Sequence, residues 1–372
     1  MRESAQYFNS REMLSWLRSV RALLASLPGP EVTVVLGNMA CDLDSGVCSL
    51  VLAHHRAVSG QHNVVIPVFN IPSQDFPLKT ELVAALAAEN IDAEDLIFRD
   101  QLDLANIQDL KLILVDHNVL ADQDKHLDDK VVEILDHHVS ETSHTNLAII
   151  EPVGSCSSLV LRKIFLENPE FADLCSLRLV HKTVLIDTTE LRPEAKKVTE
   201  LDVKMVEKCE SILGLNITDR HQIYEALQGE KRRVNHLNAH QLLRRDFKTL
   251  SDNKIKVCLS SIPMLAKSWS HLPDLESHLG AFLAQGGFTV LLVLGSSIKE
   301  DQITKDLILT GDDQCPQFTA IVEALQSNSA PGLELERDRS VRKMLRFSQG
   351  NTGASRKQIM PIVKSALSQS QL

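Results

Sequence analysis

Five short runs of aliphatic and β-branched residues, VTVVL (32–36), NVVIPVF (63–69), LKLILV (110–115), VVEIL (131–135) and LAII (147–150), are apolar along almost their whole length instead of at every second position. A strand with one wet face alternates, so strands of this kind need cover on both faces, the condition of a parallel sheet wrapped by helices. Helical patterns stand between the first runs, over 45–58 directly after Asp42 and Asp44, and over 78–89 after Pro77. Ahead of them Met13, Leu17, Val20, Leu24 and Leu27 recur at helical spacing up to Pro28-Gly29-Pro30, which predicts an amphipathic first helix that stops there. The expected fold is α/β, and such sheets bind ligands beyond the carboxyl ends of their strands.

The pattern then changes. After VGSCSSLVLRKIFLEN (153–168) come helical patterns near 172–185 and 198–213, and then GLNITDR (214–220), which has turn residues and no periodicity. A boundary there divides the chain into 1–215 and 221–372, and its 372 residues are enough for two cores. The second part has strand runs at 255–262, 288–295 and 306–311 and a last helix from about Lys357. A net charge of −10 argues against stable nucleic-acid binding but not against a small anion. Its cations are clustered, as Arg244, Arg245 and Lys248, and as Arg337, Arg339, Arg342, Lys343, Arg346, Arg356 and Lys357. Seven cysteines without a CxxC pair, no signal-peptide pattern and no apolar run of roughly 20 residues predict reduced thiols, a cytoplasmic location and no membrane span.

Acids follow the apolar runs directly: Asp42 and Asp44 after VVLGNMAC, Asp116 in LILVDHN, Asp136-His137-His138 in EILDHH, and Asp187 in VLIDT, all read as strand ends. Each has a bland reading as a helix cap or turn residue. Converging at one sheet edge, however, carboxylates repel one another, and a divalent cation relieves them. Carboxylates with imidazole and an amide but no thiolate suit Mn²⁺ or Mg²⁺ better than structural zinc. Other signals are read as structural. His54-His55 falls in a helix and is expected at the surface, His181 in an apolar pattern is expected to be packed, and His236 with His240 lacks the Glu of HExxH. The GSC turn at 154–156 opens a helix whose amides could meet an anion or simply start the helix.

GNMACDLDS, LVDHN, LDHH and LIDT resemble, in order, the four motifs of the DHH phosphoesterase superfamily, and GASRKQIMP and LLRRDFK resemble the phosphate-binding stretches of its associated carboxyl-terminal domain. Asn38, where the family II inorganic pyrophosphatases have His, places the likeness nearer the exopolyphosphatase and Prune branch. The resemblance implies an amino-terminal parallel-sheet domain, a smaller α/β carboxyl-terminal domain and an active site in the cleft between them. It further implies two ions, Mn²⁺ or Mg²⁺, held by Asn38, Asp42, Asp44, Asp116, His137 and Asp187. Asp116 would bridge them and Asp136 would orient an imidazole. His138, Lys248, Arg356 and Lys357 would bind substrate, Gly350 and Gly353 letting the last segment swing, while Arg342, Lys343 and Arg346 are expected on a solvated face. The implied activity is hydrolysis of short-chain polyphosphate or pyrophosphate by metal-activated water, with Asn38 favouring Mg²⁺ and short polyphosphates. The competing readings are a cyclic-nucleotide phosphodiesterase and a non-catalytic scaffold for protein partners.

Overall fold

The computed structural model describes residues 10–24, 31–60, 64–144, 148–171, 173–251, 255–299, 302–338 and 344–369. The chain forms two compact units, Met1–Lys231 and Arg232–Leu372.

In the first unit, α1 (Ser10–Leu23) precedes β1 (Val32–Leu36), α2 (Leu43–Val58), β2 (Val64–Val68), α3 (Thr80–Ala87), β3 (Leu110–Val115), β4 (Val131–Asp136) and β5 (Ala148–Ile150). Four helices complete it: α4 (Cys156–Glu167), α5 (Leu174–Asp187), α6 (Glu200–Leu213) and α7 (Ile217–Arg232). All five strands are parallel, in the order β2-β1-β3-β4-β5. The apolar runs divide by parity. Val35, Val65, Ile113, Val115 and Leu135 face the core built with α2, α4, α5 and α6, while Val34, Leu36, Ile66, Leu112, Leu114 and Ile134 face a second core. That second face is covered by Val20 of α1 and by short 3₁₀ turns carrying Leu104 and Leu127. Pro67, which cannot donate to a ladder, lies in edge strand β2. The helix stop expected at Leu27 to Pro30 lies outside the described residues.

β1 has β2 on one side and β3 on the other, so the chain leaves it in opposite directions and opens a crevice at the carboxyl ends of β1 and β3.

Several expectations are corrected. Asp187 is the last residue of α5, not a strand end; VLID continues the helix begun at Leu174, which buries Leu177, Val180, Val184 and Leu185. The turn chemistry of GLNITDR is confined to Gly214, which ends α6 at φ 70, and Asn216, whose side chain accepts the Thr218 amide as α7 begins. α7 thus belongs to the first unit. His54 and His55 are buried at 4% and 1% exposure, because α2 is covered on every side: His54 stands 3.0 Å from Asp173, and His55 3.0 Å from Glu167.

The second unit comprises α8 (Ala239–Arg245), β6 (Phe247–Ser251), β7 (Lys256–Ile262), α9 (Ala266–Trp269), α10 (Leu275–Gly286), β8 (Val290–Lys299), β9 (Gln302–Gly311), α11 (Pro316–Ser327), β10 (Leu335–Asp338), β11 (Leu345–Gln349) and α12 (Arg356–Gln369). Its sheet, β10-β11-β9-β8-β7-β6, is antiparallel except for the β7–β8 pair. Val257, Leu259, Leu292, Leu307 and Phe347 pack with Ile321 of α11 and Val363 of α12. Arg346, expected on a solvated face, is 7% exposed on β11 and pairs with Asp306, 3.2 Å away, and with Asp338. An arginine facing the sheet interior needs such acids to be tolerated. Arg342 and Lys343 lie outside the described residues. His240 in α8 bonds Gln285, whereas His236 is exposed ahead of that helix, so they share no helical face.

Candidate active site

The acids of the first three motifs gather at the switch point. Asp116 follows β3 in the left-handed region at φ 60, a conformation an Asp tolerates, and its amide donates to Leu135 O at 2.9 Å. The turn brings its carboxylate beside the end of β4. His137 Nε2 is 3.3 Å and His138 Nδ1 3.6 Å from Asp116 Oδ1. Ligand atoms of Asp116, His137 and His138 lie within 4.8 Å of one another.

The imidazoles are fixed from behind. His137 Nδ1 donates to the Val153 carbonyl at 2.9 Å, which turns Nε2 toward Asp116 and, at 4.0 Å, Asp44. His138 Nδ1 is 2.8 Å from Asp136 Oδ1, an oxygen that also accepts the His137 and His138 amides. Asn118 Nδ2 donates to the other Asp136 oxygen at 2.5 Å. Burial pulls the Asp136 carboxyl up, but His138 and Asn118 outweigh it and hold it down to about 2. Burial likewise pulls His137 down, but the hydrogen bond and charge of Asp116 with the charge of Asp44 carry it above its ordinary value.

Asp42 is exposed and caps α2, accepting the Ser45 amide at 3.1 Å. Asp44, within the first turn of α2, is buried at the start of α4. It accepts the Cys156 and Ser157 amides at 2.7 and 2.8 Å and the Ser155 and Ser157 hydroxyls at 3.0 and 2.6 Å. The anion met by the GSC helix start is therefore the protein's own Asp44. Asn38 is held between the turn after β1 and Asp116. Its Oδ1 accepts the Ala40 and Cys41 amides, at 2.8 and 3.2 Å, while Nδ2 donates to Asp116 Oδ2 at 2.7 Å. The two amides of the turn require an acceptor, and this leaves the NH₂ facing the carboxylate.

Within the site two buried carboxylate oxygens are poorly satisfied: Asp187 Oδ2 has no hydrogen-bond partner, and Asp116 Oδ1 has only the two imidazoles at 3.3 and 3.6 Å. Burial, and then the charge of Asp44, push the Asp116 carboxyl well above its ordinary value; burial, Asp44 and Asp42 do the same to Asp187. Poorly satisfied oxygens among mutually repelling carboxylates, beside an imidazole with Nε2 turned inward, are a donor set that fits divalent cations. Burial raises the nearby Cys41 and Cys156 thiols to about 12, which disfavours their thiolates.

In the second unit Lys248 lies on β6, and Arg356 opens α12 while bonding Asp246 Oδ1 at 2.7 Å; Lys357 beside it is exposed. Sequence reasoning passes over the supporting residues Asn118, Ser155, Ser157 and Asp202. Asn118 stands in LVDHN, and Thr199 with Asp202 makes a legible capping box, but neither spacing reveals its distant partner.

Residues 225–366 match the family described as the DHHA2 domain. Exopolyphosphatase PRUNE1 of Homo sapiens is 34% identical over 367 residues, spanning 96% of this chain and 80% of that protein. A Schizosaccharomyces pombe protein assigned as an exopolyphosphatase is 28% identical over 382 residues, spanning 97% of each. The crystal structure of a Methanococcus jannaschii protein assigned to the family II inorganic pyrophosphatases superposes with a TM-score of 0.62 at 19% identity, covering 90% of this chain and 99% of that one, which shows a shared fold.

Proposed function

Because the chain belongs to the Prune-type exopolyphosphatase family of the DHH phosphoesterases, we propose that it hydrolyses phosphoanhydride bonds of short polyphosphates with the help of divalent cations. The observation that carries this reading is the grouping of Asp116, His137 and His138, with ligand atoms within 4.8 Å of one another, beside the buried carboxylate Asp44 at the carboxyl ends of the strands. On this reading Asp42, Asp44, Asp116, His137 and Asp187 would hold two ions, Mg²⁺ or Mn²⁺. Such ions would supply an acidified water and neutralise charge on the phosphoryl group.

The chain's own residues do the rest. Asp136 fixes the His138 ring through Nδ1 and leaves Nε2 to donate to a phosphoryl oxygen. Asn38 steers Asp116 with its NH₂, and an amide here in place of an imidazole would favour Mg²⁺ over softer metals. Restoring an imidazole with Asn38→His should then shift preference from tripolyphosphate toward pyrophosphate. Lys248, Arg356 and Lys357 supply positive charge for the remaining phosphates. The seven cysteines, none in a disulfide, fit a reducing cytoplasm, and no helix among the described residues is long and apolar enough to cross a membrane.

The test is phosphate release from pyrophosphate, tripolyphosphate and tetraphosphate, and hydrolysis of cyclic AMP, with Mg²⁺ and with Mn²⁺, beside Asp116→Ala. Release from tripolyphosphate that vanishes in the variant supports the reading. Hydrolysis of cyclic AMP alone would make the chain a phosphodiesterase, and metal binding without turnover would make the site a binding pocket.

A further inference from the structure

Residues 153–158 hold two candidate metal ligands at once. The Val153 carbonyl accepts His137 Nδ1–H, and the Cys156 and Ser157 amides with two serine hydroxyls hold Asp44. Those ligands come from the end of β4 and from α2, and this short turn ties one to the other. What fixes the turn is Asp202 in the first turn of α6, fully buried at 0% exposure. Its Oδ2 accepts the Gly154 amide at 2.8 Å, and its Oδ1 accepts the Ser158 hydroxyl at 2.7 Å. The same carboxylate caps its own helix through the Thr199 amide and hydroxyl, at 2.8 and 2.7 Å.

The contact is tight from the other side as well. A Cβ on Gly154 would come within 2.7 Å of Asp202 Oδ2 and 2.6 Å of Thr188 Cγ2, distances that side chains do not tolerate. Helix capping alone needs only the Thr199 bonds. The bonds to Gly154 and Ser158 reach 48 and 44 residues back into the site and serve no end of α6.

We propose that Asp202 is a positioning residue for the metal site: by clamping the 153–158 turn it sets Asp44 and His137, and it touches neither substrate nor ion itself. The proposal rests on the metal-dependent reading above, but its readout is separate from turnover. In Asp202→Asn the charge that strengthens the bonds to the turn is lost, and the Ser158 hydroxyl has to reverse and accept from the new NH₂. Gly154→Ala breaks the same contact from the opposite side.

Mn²⁺ affinity is measured by titration calorimetry on the full-length, EDTA-stripped chain, as wild type, Asp202→Asn, Gly154→Ala and the double variant. Glu210→Gln, which loosens the same helix at its bonds to His181 and Arg220, is the stability control. Asp202→Asn and Gly154→Ala should each weaken Mn²⁺ binding by about tenfold or more. The double variant should bind no worse than the weaker single, because both break one contact. Glu210→Gln should lose Tm without losing affinity. Wild-type affinity in Asp202→Asn, or an equal affinity loss in the control at equal Tm, overturns the proposal. Should Asp202→Asn fail to fold, Ser158→Ala, which removes a single bond, decides in its place. Clamp-dependent Mn²⁺ binding without phosphate release sinks the hydrolase reading and leaves the clamp standing; a wild-type chain that binds no Mn²⁺ ends both.

Discussion

Asp187 sits in a position that harms the metal-free fold, and Asp187→Asn exposes this with a change of sign. One of its oxygens is buried without a partner, which costs about 1–3 kcal/mol. As the last residue of α5 it also places negative charge at the negative end of the helix dipole, about 0.3–1 kcal/mol more. An asparagine removes the charge that Asp44 and Asp42 now repel. The variant should therefore be more stable than wild type by about 1–3 kcal/mol in EDTA at pH 7. Because burial, Asp44 and Asp42 raise the folded-state pKa of Asp187 above 3.8, its penalty is present above that raised value. The wild type regains the difference as pH falls through it. Saturating Mn²⁺ reverses the order: an ion bound only by the folded chain adds about 2.7 kcal/mol at 100 times Kd, and the variant forfeits it. Urea unfolding in EDTA and in Mn²⁺ reads both, following Trp16 of the first unit with Trp269 of the second replaced by Phe. A variant less stable than wild type in EDTA, or equal stabilisation of both chains by Mn²⁺, refutes the reasoning.

Arg346→Met should leave the buried Asp306 with only the Ala266 and Lys267 amides and lower the stability of the second unit by about 3 kcal/mol, seen as an earlier urea transition of Trp269. Asp136, held at about 2 against 3.8 unfolded, lends stability that is complete above 3.8; about 1 kcal/mol of it should be gone at pH 3. That loss should be missing in Asp136→Asn, and a stability curve that parallels wild type from pH 5 to 3 counts against the assignment. Lys357→Ala, at an exposed position, should raise KM for tripolyphosphate several-fold while moving stability by no more than about 0.5 kcal/mol; an unchanged KM removes Lys357 from substrate binding.

The parallel sheet is legible because its strands are buried on both faces, and uniform apolarity such as that of VTVVL and LKLILV is what two covered faces require. The second sheet is harder to read. β10 (LERD) is an edge strand with two exposed residues and β11 (LRFSQ) hides a paired arginine, so neither carries an apolar run. Asp187 is misread because an apolar tripeptide before an acid looks the same at the end of a strand and of a buried helix. His54 and His55 are misplaced since α2 has no wet face to which a polar pair could turn. Of the site, the acids are legible and their supports are not. Asp44 draws its donors from a turn more than a hundred residues away, and no local pattern announces such a partnership.

The closure of α4's amide end by Asp44 divides the protein's dealings with negative charge into a dry part and a wet part. The first amides of a helix are a ready place for a phosphate, and here they are taken. On the proposed function a polyanionic substrate would be left to exposed cations such as Lys357, on a chain whose net charge of −10 would repel it at a distance. Added salt does not reach the buried carboxylate, but with a screening length of about 8 Å at physiological ionic strength it weakens both the repulsion and the capture. Ionic strength should thus tune how readily substrate is collected and leave the geometry that acts on it unaltered, so that salt moves KM and spares kcat.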